Sequence, residues 1–73
     1  MTETVKQVDI QLVQIKERVW IVPQTTTGML WLQLHFTEDE WPALSSDALV
    51  LPRHDAALLA IDAEDGGLTV VCD

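Results

Sequence analysis

Cysteine occurs once in this sequence, tyrosine not at all, and lysine and arginine together number four in 73 residues. Each shortage closes off a class of explanation. With Cys72 alone no internal disulfide can form, and a chain this short buries only roughly 60 % of its unfolded surface on folding, so its stability calls for a further source. Self-association or a metal are the remaining routes. A lone cysteine, and no apolar leader in Thr2-Glu3-Thr4-Val5-Lys6, lead us to expect a reducing, cytoplasmic setting. Apolar runs such as Val19 to Val22 and Met29 to Leu32 fall far short of the roughly 20 residues a spanning helix needs, so no membrane contact is expected. Four cations are also too few for binding driven by counterion release, so direct contact with nucleic acid is not expected either.

What the chain has in quantity is acid. Twelve Asp and Glu residues give a formal net charge of −8, and their placement is uneven. Residues 1–36 balance Glu3, Asp9 and Glu17 against Lys6, Lys16 and Arg18, whereas residues 37–73 set nine carboxylates against Arg53 alone. The second half carries the whole excess, which is a signal about partners. A hydrophobic content of 48 % is ordinary for a folded domain, and without repeats or linkers the chain reads as a single small domain over residues 1–73.

Val8, Ile10 and Leu12 alternate with polar residues, and the apolar phase then moves to Val13 and Ile15. This pattern predicts a strand with a bulge or strong bend. Lys16-Glu17-Arg18 is a turn into Val19 to Val22, apolar on both faces and closed by Pro23. Gln24 to Gly28 reads as a loop with a glycine available for positive φ. Leu30, Leu32, Leu34 and Phe36 then alternate with Met29, Trp31, Gln33 and His35, which predicts a third strand with its leucine face in the core. Thr37-Glu38-Asp39-Glu40 has the form of a capping box opening a short helix around Pro42, ended by Ser45-Ser46. Ala48 to Pro52 is an edge strand or buried connector. Asp55 to Asp65 predicts a helix with Asp55 as N-cap and Gly66 or Gly67 at its left-handed end, where Leu68 folds back. The competing reading pairs Leu58–Asp62 with Leu68–Cys72 in a hairpin, but five alanines between residues 48 and 63 disfavour a strand. The expected fold class is α+β: a three-stranded antiparallel meander, a short helix, a second helix and a C-terminal strand. The alternative is a mostly β small barrel with a C-terminal hairpin.

No motif identifies an activity. His35 and His54 lack the close spacing of a zinc site, and they read more simply as a strand end and a loop residue. Asp62 to Gly67 is acidic and glycine-bearing, yet it puts Gly66 at the fifth position of a calcium loop and lacks the final bidentate glutamate. Cys72 has no evident base beside it, and the Gly66-Gly67 pair has no further element of a phosphate-binding loop. No catalytic, cofactor or metal site is expected, and the chain does not read as an enzyme. Trp20, Trp31 and Trp41 are the residues most able to mark a binding surface. Trp20 and Trp31 could stack on the sheet face opposite the leucines, as core if helices cover that face and as an association patch with Met29 if they do not. Trp41 could dock its helix or stand at the rim of such a patch. Together with Glu38, Asp39 and Glu40 these are the candidate partner-binding residues. The reading is a small acidic accessory or regulatory protein, expected to be homodimeric and to meet a basic protein partner. The alternative is an inhibitor of the kind phages or mobile elements encode, in which the acidic surface imitates nucleic acid before a basic nucleic-acid-binding protein.

Overall fold

A computed structural model of the chain describes residues 7–46 and 48–72. Met1 to Lys6, Asp47 and Asp73 lie outside the described residues, so Glu3 and Lys6 of the charge balance and two of the nine carboxylates are not placed.

Strands β1 (Ile10–Ile15) and β2 (Arg18–Pro23) form an antiparallel hairpin in unbroken register, from Ile10 opposite Pro23 to Ile15 opposite Arg18. The expected bulge is absent, and the phase change has another cause. Ile10 and Leu12 point to one face and are buried, while Val13 and Ile15 point to the other, which is apolar as well. The two-residue turn puts Lys16 at φ 59 with Glu17 at negative φ, the sign pattern of a type II′ turn, whose twist suits a hairpin.

The third strand predicted over Met29 to Phe36 is instead a helix, α1 (Thr26–His35). Thr25 caps it, its hydroxyl accepting from the Gly28 amide at 3.0 Å. A helix scatters an alternating leucine series around its circumference. Leu32 is therefore fully buried, Leu30 is 54 % exposed and Leu34 is 87 % exposed, so the leucine face is not core. Gly28 serves a different purpose from the one expected: its φ is not positive, and a Cβ there would run into the Asp9 carbonyl oxygen.

A 3-10 turn at Glu38–Glu40 leads into α2 (Trp41–Ser45), with Pro42 in its first turn. The capping box does not form, since Thr37 makes no side-chain cap bond. The edge strand expected near residue 50 is β3 (Val50–Pro52), antiparallel to β2. Helix α3 (Arg53–Asp65) starts two residues before Asp55, with Pro52 as N-cap. Its end matches expectation: Gly67 has φ 90, its amide donates to the Glu64 carbonyl at 3.0 Å, and the Leu68 amide donates to the Ala63 carbonyl at 3.0 Å while its side chain is buried. Strand β4 (Val70–Cys72) closes the chain parallel to β1.

Among the described residues the fold is thus α+β, with one open mixed sheet ordered β3-β2-β1-β4 and three α-helices, and not the antiparallel meander the alternation suggested. Helix α3 links the two edge strands. Ile10, Leu12, Val19 and Ile21 share one sheet face and form a single core with Leu32 of α1, Leu44 of α2 and Ala56, Leu59 and Ala63 of α3. Alanine at two of those α3 positions lets the helix lie close to the sheet, so composition that disfavours a strand here also shapes the packing.

Asp9 joins the pieces. Its carboxylate accepts from the Thr25 hydroxyl at 2.7 Å and the Thr69 amide at 3.0 Å; its carbonyl accepts from the Gln24 amide at 2.8 Å; its own amide donates to the Thr69 carbonyl at 2.9 Å.

Two stability predictions follow from this junction. Gly28→Ala is expected to lower the unfolding free energy by about 2–3 kcal/mol in urea denaturation, because the obstructing atom is backbone. Asp9→Asn turns one acceptor into a donor and is expected to cost about 1–3 kcal/mol, with the Thr69 amide losing hydrogen-exchange protection ahead of the hairpin.

Candidate functional site

Alternation along paired strands gives the sheet two faces, and every described helix lies on one of them. The other face carries Val13, Ile15, Trp20, Val22, Val50 and Val71, brought together by the pairings Val13–Trp20, Trp20–Val50 and Gln11–Val71. Ile15 is 48 % exposed, and Val50 and Val71 are also exposed. Arg18, opposite Ile15, is the charged residue on this face. Among the described residues no helix covers this apolar sheet face.

The tryptophans go to three different places. Trp20 stands on this open face. Trp31 is on α1 and stacks on His35 at 4.8 Å with an interplanar angle of 14°; its indole nitrogen also reaches α3, where a Cβ on Gly66 would lie 3.2 Å away. Met29 and Trp31 pack against the core, so the joint patch of Met29, Trp20 and Trp31 does not form. Trp41 packs on the core and donates its indole N–H to the Gln33 carbonyl at 3.1 Å. That carbonyl belongs to the last turn of α1, whose acceptors have no partner within the helix. Trp41 therefore docks α2 onto α1.

Glu38 and Asp39 are exposed and Glu40 half-buried on the 3-10 turn; Asp55, Asp62, Glu64 and Asp65 are exposed on α3. Among the described residues the helical layer sets these seven carboxylates against Arg53, while the hairpin and its lead-in balance Asp9 and Glu17 against Lys16 and Arg18. The division seen along the sequence becomes a division between layers.

Among the described residues no group of three His, Cys, Asp or Glu side chains is placed to hold a metal ion. His54 and Cys72 are exposed, on α3 and β4. No described helix is long and apolar enough to cross a membrane. Sequence reasoning missed a groove between the end of α1 and the flank of α3, bordered by His35, Phe36, Asp55, Leu58, Leu59 and Asp62. Its signal is the spacing 55, 58, 59, 62, which is one helix face, but the opposite wall lies on α1, whose alternating leucines imitate a strand.

Residues 11–72 match the family model of the cyanobacterial NIF11-like domain. No curated protein and no solved structure matches the chain.

Trp41→Phe keeps an aromatic ring but removes both the donor to Gln33 and the pyrrole half of the indole packed on the core, and is expected to cost about 1–3 kcal/mol in thermal or urea unfolding. A neutral result would mean that solvent satisfies the Gln33 carbonyl equally well.

Proposed function

We propose that this chain, which belongs to the cyanobacterial NIF11-like domain family, is a small acidic accessory or regulatory protein that acts by protein–protein interaction. Its open sheet face serves self-association, and its helical layer meets a basic partner. The observation that carries this reading is the separation of the two surfaces: an apolar, charge-balanced sheet side and a helical side with seven described carboxylates against Arg53. A second copy packed face to face on the sheet keeps the two acidic layers apart, whereas packing through the helices would set like charges against each other. Catalysis has no part in this reading, and the exposed Cys72 thiol suits a reducing, cytoplasmic compartment.

The size of the sheet face limits the strength of association. Two strands of six residues and two of three, about 4.8 Å apart and rising about 3.3 Å per residue, cover roughly 300 Å², well under half of the ~800 Å² per partner of a standard interface. The dimer is therefore weak and concentration-dependent. Sedimentation velocity up to high micromolar protein is expected to show a growing dimer fraction, and the double variant Ile15→Lys/Val50→Lys is expected to stay monomeric. A wild-type chain that stays monomeric throughout would remove self-association and leave the acidic surface to be tested by itself.

A further inference from the structure

We propose that the groove between α1 and α3 seats a cationic, apolar segment of the partner protein, with an arginine or lysine head between Asp55 and Asp62 and its aliphatic stem, or a neighbouring apolar side chain, on Leu58 and Phe36. This rests on the reading of the helical layer as the partner-facing side and gives that side a defined site.

The groove is a recess of about 290 Å³. Leu59, 2 % exposed, forms its floor; Phe36 is half-buried beside it, and Leu58, 50 % exposed, stands at its edge. The carboxylates frame this apolar ground. Asp55 and Asp62 are two helical turns apart, about 10.5 Å along the axis, with Leu58 and Leu59 between them on the same helix face. Lysine and arginine side chains are built for such a surface, since their methylene stems cover apolar area while the charged head reaches an acid at the rim. Arg53 does not neutralise the site, because it borders a separate recess with Ala56, Ala57 and Ala60 on the other flank of α3. On the α1 side the groove is closed by His35, held between the stack on Trp31 and an edge contact with Phe36 at 5.1 Å. The His35 and Phe36 rings stand nearly perpendicular at 78°, so the Phe36 ring offers an aromatic face to a guanidinium at this corner of the groove. Charge selects a cation, and the apolar lining, to which Leu51 of β3 also contributes, selects a stem or neighbour that is not polar.

The test uses the full chain and three capped, alanine-based peptides. One carries arginine and leucine four residues apart, the second has glutamine for arginine, and the third has serine for leucine. Amide chemical shifts are followed during titration. The first peptide is expected to move His35, Phe36, Leu58 and Asp62, and to bind at least about 10-fold more tightly than either control. Asp55→Asn/Asp62→Asn and, separately, Leu58→Ser should each weaken it about 10-fold; all three positions are exposed, so these variants keep the fold. Raising salt from about 50 to 300 mM should weaken the arginine peptide more than the glutamine peptide. Shifts confined to Glu38–Glu40 or Glu64–Asp65, or an affinity unchanged by the variants, would overturn the groove and leave the acidic-face reading standing. Binding by no cationic peptide would overturn both. Groove shifts that follow protein concentration alone would assign the site to a second copy and overturn the partner segment.

Discussion

Asp9 holds the sheet and helices in one arrangement. Its carboxylate touches the residue that caps α1 and the residue that opens β4, while its main chain bonds to both the end of β2 and the start of β4. The cap matters twice: Thr25 accepts from Gly28 and donates to Asp9, so α1 begins only where its first turn can lie on the Asp9 carbonyl. A glycine is required at that contact for want of space. Removing any member of this set leaves the others with donors or acceptors facing protein instead of water, which is the costly way to lose a hydrogen bond.

From that fixed point the layers follow. Parallel pairing of β4 to β1 puts the two edge strands in the same direction, so α3 must cross the sheet, and with α1 and α2 it buries a single face. The opposite face is left with valines, Ile15 and Trp20, and a one-layer cover of helices gives a chain of this size two unlike sides. Among the described residues the apolar sheet face and the acidic helical layer therefore lie on opposite sides.

Much of this was legible in the residues. The hairpin, the β3 edge, the α3 body and the glycine-ended turn into Leu68 each rest on local chemistry that reads the same in sequence and in space. The segment from Met29 to Phe36 did not, because alternate leucines imitate a strand. What argued against it was the absence of valine, isoleucine and threonine across residues 28–36, together with Thr25 placed as a cap. The bulge expected after Leu12 failed for a related reason: a strand apolar on both faces changes phase without changing geometry. Trp20 was legible as a surface candidate, but its supposed neighbour Trp31 was lost with the strand. The groove was invisible for the same cause, since half of it lies on α1. The charge division, by contrast, holds among the described residues, because it depends on composition and on the hairpin coming first.

The contact between Asp9 and Thr69 spans 60 residues. Closing a loop of that length costs about 3–4 kcal/mol in chain entropy before any packing is gained, so this junction belongs to the late part of folding. Until then the hairpin has apolar residues on both sides, with only α1 and α2 to cover its core face. During synthesis α1 and α2 follow the hairpin directly and can cover part of its core face, whereas the part that lies under Ala56, Leu59 and Ala63 stays bare until α3 and β4 emerge.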